Sequence, residues 1–187
     1  MTDPTSPIAI ERQGEIALLH LDRPAKRNAF NNAMIEALGA WFAKPPHGVK
    51  VAVLTAAGEH FSAGLDLAEH VERSAEPSTF FQLPEGRRGI FVGGGASVRV
   101  ARLIGASRMT EMMLTGRRYD AADGLRLGLA HYLVGPGEAL PKALELAREI
   151  AANAPLSNYL MIQAVARIDD MAAAEGLFAE SMAAALV

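Results

Sequence analysis

Residues 51–67 read VAVLTAAGEHFSAGLDL, and this stretch decides the fold. A short, largely apolar run over 49–55 (VKVAVLT) predicts a buried strand of the kind found in parallel sheets. Small residues over 56–58 then predict a turn, residues 61–64 a tight loop, and residues 65–72 a helix. A strand, a glycine-containing loop and a helix in this order are the building blocks of an α/β domain.

The same loop has the residues to stabilise a negative charge. Gly64 permits a close turn, and the N–H of Leu65 would be among the first free amides of the predicted helix, where Asp66 suits the helix dipole. A carbonyl that becomes an enolate requires donors already aimed at the developing charge, and such amides supply them. On these residues alone, a loop that merely requires glycine explains the pattern equally well.

The segments on either side predict further strands and helices. Apolar residues over 8–10, a turn near Gln13-Gly14 and an apolar run over 16–21 predict a β-hairpin, and Asn31 lies where an N-cap starts a helix. We place a core over residues 1–135 and a C-terminal helical region over 136–187. The remaining predictions are helices over 96–104, 109–114 with Ser107 as its cap, 120–127, 140–153, 156–168 and 171–186, and a short strand over 130–134.

The composition is that of an ordinary globular protein. Half of the 187 residues are hydrophobic, the net charge is −3, and there is no cysteine. Nothing in this balance favours nucleic acid or a membrane as partner, and no stretch approaches the roughly 18 uncharged apolar residues of a membrane span. The Glu-His pairs at 59–60 and 69–70 lack the spacing of metal ligands. We therefore expect a cytoplasmic protein with no metal site.

A second candidate for chemistry is Glu85, within an irregular, glycine-rich segment over 80–95. Phe, Leu and Pro precede it, so its carboxylate could be partly desolvated and could exchange protons with a substrate. The alternative is a solvated loop carboxylate paired with Arg87 or Arg88. The residues by themselves favour this alternative.

Four stretches together resemble a known family. They are residues 22–31 (DRPAKRNAFN), 51–67, 83–90 (LPEGRRGI) and 112–129 (MMLTGRRYDAADGLRLGL). In this order they are similar to the crotonase superfamily, the enoyl-CoA hydratases and isomerases of fatty acid metabolism. The resemblance implies an α/β fold, a spiral of ββα units with a helical C-terminal region that builds homotrimers or dimers of trimers.

The resemblance also implies roles for individual residues. The substrate would be an acyl-CoA, with no cofactor other than its own coenzyme A. Leu65, after Gly64, matches the position whose N–H forms half of the oxyanion hole. Glu85 matches the acid/base glutamate, which reverses the preference drawn from the residues alone. Ala63, Asp66 and Leu67 match a strip that lines the CoA pocket, and Lys26, Arg27 and Ala29 match a loop at the nucleotide end of CoA.

The chain departs from the family between the two catalytic segments. Family members carry there a further strand, a second glycine-rich turn with the second oxyanion amide, and a helix, and the hydratases have another catalytic glutamate. Only residues 68–79 separate the two motifs here, too few for such an insertion. We therefore predict an internal deletion near 72–80, and the chain also stops early, inside a predicted helix. Residues 93–95 match a different turn of the family.

Three functions stay open from the sequence. The chain is an enoyl-CoA hydratase, an enoyl-CoA isomerase that uses Glu85 alone, or a non-catalytic acyl-CoA-binding member of the family. The missing segment leaves two explanations, a shortened version of a normal enzyme or a deletion product with impaired chemistry.

Overall fold

The computed structural model describes residues 6–64 and 79–187. These residues fall into two compact units, residues 6–64 with 137–187 and residues 79–136. Leu65, Asp66, Leu67 and the predicted helix over 65–72 lie outside the described residues. The predicted boundary between residues 135 and 136 stays a prediction.

Five strands and eight helices are described. In chain order they are β1 (Ile8–Gln13), β2 (Ile16–Leu21), α1 (Asn32–Ala43), β3 (Val51–Ala56), β4 (Phe80–Phe81), α2 (Glu85–Arg88), α3 (Ala96–Ile104), α4 (Ala106–Thr115), β5 (Tyr119–Asp120), α5 (Ala121–Leu127), α6 (Ala139–Ala152), α7 (Pro155–Ile168) and α8 (Ala173–Ala184). No helix within these described residues is long and apolar enough to cross a membrane.

The first unit is built on a three-stranded sheet in the order β1-β2-β3. β1 and β2 form the predicted antiparallel hairpin, and β3 lies parallel to β2, with Ile16 opposite Val51. Every residue of β2 except His20 is buried, because this strand lies in the middle of the sheet. The strand predicted from the apolar run of 49–55 is confirmed as β3.

Helices cover the two faces of this sheet. On one face, Ile16, Leu18 and Val53 form a core cluster with Ala147 of α6. On the other face, the strands pack against Met34 of α1. Helix α1 begins as predicted, since the side chain of Asn31 accepts a hydrogen bond of 3.0 Å from the N–H of Met34.

The second unit corrects three predictions of local structure. The segment over 80–95 is not irregular throughout, because it contains β4 and the single turn α2. Ser107 does not cap α4, because α4 starts at Ala106, one residue before Ser107 and directly after Gly105. Residues 130–134, which are within the described part of the chain, form no strand.

Candidate active site

The loop before α1 is tied to the loop after β3 by one side chain, that of Asn28. This residue is 0% exposed. Its Nδ2 donates hydrogen bonds of 2.7 Å to the carbonyl oxygens of Ala57 and His60, and its Oδ1 accepts one of 2.8 Å from the N–H of Arg23. Its φ of +51° lies in the left-handed region that asparagine tolerates better than most residues. Asn28 therefore fixes both loops from the inside.

Two backbone hydrogen bonds complete this link beside Gly64. The N–H of Phe30 donates to the oxygen of Gly64 over 2.7 Å, and the N–H of Ala63 donates to the oxygen of Arg27 over 3.0 Å. Gly64 has a φ of +85°, which favours glycine at this turn. The structure thus brings Ala63 and Gly64 together with the loop of residues 22–31.

The predicted CoA-binding residues of this loop differ in exposure. Lys26 is exposed at the end of a 3-10 turn over Pro24–Lys26, and Arg27 is half-buried directly after it. Ala29 is buried, and its carbonyl oxygen accepts a hydrogen bond of 2.7 Å from the guanidinium of Arg23. Ala29 contributes packing to the loop. The binding roles of Lys26, Arg27 and Ala29 stay predictions.

Glu85 is the first residue of α2 and is half-buried. Its Oε2 is buried and has no hydrogen-bond partner among the described residues. The ion pair with Arg87 or Arg88 that would make Glu85 an ordinary loop carboxylate is not formed within residues 6–64 and 79–187. Arg87 instead donates from Nε to the carbonyl oxygen of Thr115 over 2.7 Å.

The turn that carries Glu85 lies against the C-terminal end of α4. A Cβ atom at Gly86 would lie 2.7 Å from the oxygen of Met113, so only glycine fits without a shift of the backbone. Gln82 donates from Nε2 to the oxygen of Gly116 over 2.6 Å. The LPEG and LTG segments of the sequence therefore interlock.

The other carboxylates of residues 79–136 have structural partners. Glu111 accepts a short hydrogen bond from the hydroxyl of Tyr119, and this bond, together with burial, raises the pKa of Tyr119. Asp120 caps α5 by accepting from the N–H of Asp123 over 2.8 Å. A hydrogen bond from Arg126 lowers the pKa of Asp123. Glu85 is thus the one carboxylate in this unit with a buried, unpartnered oxygen.

Sequence reasoning missed the residues that hold these segments. Asn28 was inside a recognised stretch, but nothing in its neighbours distinguishes a buried asparagine from a solvated one. Gln82 and Arg87 donate hydrogen bonds to backbone carbonyl groups 34 and 28 residues away. Since every residue has a backbone carbonyl, the sequence does not show which of them accepts such a bond. Only the glycine at position 86 could have indicated a close approach of two backbones.

Comparison with known proteins gives the family. The model of the family "Enoyl-CoA hydratase/isomerase" matches residues 11–82 and 73–185. Enoyl-CoA hydratase EchA19 of Mycobacterium tuberculosis is 27% identical over 215 residues, which cover 87% of this chain and 81% of the relative. Carnitinyl-CoA dehydratase of Salmonella arizonae is 29% identical over 220 residues, covering 90% and 84%.

Comparison with solved structures supports the same family. A Rhodopseudomonas palustris protein, provisionally described as an enoyl-CoA hydratase, is 35% identical, with a TM-score of 0.89 over 100% of this chain and 90% of that one. The enoyl-CoA hydratase of Bacillus anthracis has the same fold, with a TM-score of 0.86 at 24% identity over 95% and 89%. The chain belongs to the enoyl-CoA hydratase/isomerase family of crotonase-type enzymes, and the predicted fold class is confirmed.

The matches also show where this chain differs from its relatives. Alignments of 215 and 220 positions exceed the 187 residues of the chain, so the relatives contain residues that have no counterpart here. The family model matches in two parts, which overlap at residues 73–82. The internal shortening near 72–80 stays a prediction.

Proposed function

We propose that the chain is an acyl-CoA-processing enzyme of the enoyl-CoA hydratase type, with Glu85 as the proton carrier. The observation that carries the proposal is the buried carboxylate oxygen of Glu85, which has no partner among the described residues. An oxygen without a protein partner is available to accept a proton from a substrate that binds within hydrogen-bond reach. The segment of Glu85 lies within the part of the chain that the family model matches.

The reaction requires no cofactor beyond the coenzyme A of the substrate. The oxygen of water, with one hydrogen, adds to the β-carbon of a 2-enoyl thioester, and the other proton of water reaches the α-carbon through Glu85. The thioester oxygen carries negative charge in between, and the N–H of Leu65, next to Gly64, stabilises that charge. No redox step is involved.

Coenzyme A would bind along the loop of residues 22–31, which Asn28 ties to Ala57 and His60 and the N–H of Phe30 ties to Gly64. Lys26 and Arg27 supply positive charge for its phosphates. Ala63, Asp66 and Leu67 would line the pocket near the thioester, and Ala29 would support the loop from below. The tie between the two loops supports this assignment, since it holds the proposed phosphate ligands close to Gly64.

The first test is the substitution Glu85→Gln, which keeps size and removes the proton carrier. We expect a normally folded protein whose kcat/KM for hydration of a short 2-enoyl-CoA falls about 10²- to 10⁴-fold. Glu36→Gln, at an exposed carboxylate of α1, is the matched control and should keep full activity. Undiminished hydration by Glu85→Gln would remove this residue from the mechanism.

An enoyl-CoA isomerase is the second candidate. It is favoured because Glu85 is the one carboxylate of residues 79–136 whose oxygen is buried without a partner. A single carboxylate can take a proton from one carbon of the acyl chain and return it to another. Assays with 2-enoyl-CoA and 3-enoyl-CoA in parallel separate the two enzymes, since isomerisation without hydration supports the isomerase.

A non-catalytic acyl-CoA-binding protein is the third candidate, and the residues that the relatives have in addition motivate it. Calorimetry that detects CoA binding, with no turnover of any enoyl-CoA, would support this function. Mass spectrometry of the natural protein decides between the two explanations of the shortening. A mass well above 19.8 kDa would establish that the natural enzyme carries the additional residues.

We also propose a homotrimer, or a dimer of trimers, in the cytoplasm, without nucleic-acid or membrane partners. Apolar side chains of the last two helices support an assembly, since Ile162 of α7 and Phe178 of α8 are each 70% exposed. Such surfaces are typical of interfaces between subunits. Light scattering on the purified chain tests the assembly.

A further inference from the structure

We propose that Arg87, together with Gln82, is a positioning residue that aims the carboxylate of Glu85 by fastening α2 to the carbonyl end of α4. The inference rests on the proposed function of Glu85 and deepens it. Neither side chain touches the reacting atoms in this proposal. Both act through the backbone turn that carries the carboxylate.

Helix α2 cannot hold Glu85 in place by itself. It contains four residues, and its N-cap position is Pro84, which offers no side-chain hydrogen bond. A single helical turn is unstable without tertiary contacts, because fixing the backbone of one turn costs more than its hydrogen bonds return. The direction of the Glu85 side chain must therefore be set by what α2 contacts.

The contact is made by the C-terminal end of α4, where carbonyl groups lack partners within the helix. Thr115 oxygen accepts from Nε of Arg87 over 2.7 Å, and Gly116 oxygen accepts from Nε2 of Gln82 over 2.6 Å. The positive charge of arginine is also favourable at this end of a helix dipole. Since Gln82 precedes Glu85 and Arg87 follows it, the turn is held on both sides.

The close approach depends on two glycines. A Cβ atom at Gly86 would lie 2.7 Å from the oxygen of Met113, and a Cβ atom at Gly116 would lie 2.7 Å from Nε of Arg87. The stem of Arg87 therefore lies directly on the backbone of Gly116. Arg88, the next residue of the same turn, is exposed, and its side chain donates no hydrogen bond within the described residues. It has the same charge without the contact, so it is the matched control.

The test compares Arg87→Met, which keeps the stem and removes the donor, with Arg88→Met. We expect kcat for enoyl-CoA turnover to fall about 10- to 100-fold in Arg87→Met, while KM changes less than about threefold. Gln82→Leu should show the same split, and Arg87→Lys should recover part of kcat. Arg88→Met should keep kcat within about twofold. Equal kcat values in Arg87→Met and Arg88→Met would overturn the proposal.

Hydrogen exchange gives a readout that requires no turnover. The N–H of Ile90 donates to the oxygen of Glu85 over 3.2 Å and so reports on the turn. We expect its exchange to become roughly tenfold faster in Arg87→Met and to stay unchanged in Arg88→Met. If exchange is faster in Arg87→Met but the wild type shows no turnover, the proposed function is refuted, while the fastening of α2 to α4 by Arg87 is supported. Unchanged exchange would overturn the fastening even if the wild type is active.

Discussion

Gly64 and Glu85 lie in two short segments that are held in place in different ways. The loop at Gly64 is fixed from within by Asn28, a fully buried side chain with three hydrogen bonds. The turn at Glu85 is fixed from outside by Arg87, an exposed side chain on the end of a helix.

The two kinds of anchor should respond differently to substitution. Loss of a buried polar anchor leaves several buried groups without hydrogen bonds, so it lowers the stability of the whole unit. Loss of an exposed anchor leaves groups that water can reach, so stability changes little while the position of the attached carboxylate changes.

The largest effect on stability is expected for Asn28→Ala. The substitution leaves the oxygens of Ala57 and His60 and the N–H of Arg23 without their partner. We expect the free energy of unfolding, measured in urea, to fall by about 3 kcal/mol. Asn32→Ala, at an exposed asparagine, should change it by less than about 0.5 kcal/mol. A loss below about 1 kcal/mol in Asn28→Ala would contradict the role of a buried anchor.

Gly86→Ala should cost less stability but should affect activity as well. The new methyl group would meet the oxygen of Met113 at 2.7 Å and the Cα of Leu114 at 3.3 Å, so α2 must move away from α4. We expect a loss of about 2 kcal/mol in unfolding free energy, together with a lower kcat.

A second glycine provides the control for this substitution. Gly39 lies within α1 with nothing within 4 Å of its Cβ position, so Gly39→Ala should stabilise the protein by about 0.5–1 kcal/mol. The two substitutions thus have opposite signs, and a stabilising Gly86→Ala would show that α2 and α4 are not in close contact.

Local patterns predicted the first unit well. The apolar residues of β1 and β2, the uncharged run of β3 and the cap at Asn31 each lie within a few residues of what they determine. These signals are present in the sequence because a buried strand is a short apolar run bounded by turn residues, and because a helix start carries its own cap. The family was likewise recognisable from motifs that are continuous in sequence.

The second unit was predicted less well, because its structure depends on distant contacts. Helix α2 is a single turn that is stabilised by its contact with α4. A helix of four residues is too short to show a hydrophobic period in the sequence. The apolar residues over 130–134 suggested a strand, but a strand requires a neighbour, and none pairs with them among the described residues. Gly105 ends α3 and precedes α4 directly, which leaves Ser107 inside the helix.

The smallest effect is expected for Tyr119→Phe, which asks whether a buried polar contact of the second unit acts on stability alone. Tyr119 is 1% exposed and donates to Glu111 of α4. Its removal should cost about 1 kcal/mol in unfolding free energy and leave kcat unchanged, because the contact does not reach α2. Tyr159→Phe, at an exposed tyrosine of α7, is the control. A lower kcat in Tyr119→Phe would extend the positioning system beyond Arg87 and Gln82.

The pH dependence of stability distinguishes this contact from simple packing. The hydrogen bond to Glu111 is the main cause that raises the pKa of Tyr119 above its ordinary value of 10.0, and burial adds to it, while Arg117 and Arg108 act in the opposite direction. The folded protein therefore holds this proton more tightly than the unfolded chain. Its stabilising effect is complete below pH 10 and is lost as the pH rises through the folded pKa. Thermal unfolding of wild type and Tyr119→Phe should accordingly converge above pH 10, and a constant difference would indicate that the hydroxyl contributes only by filling space.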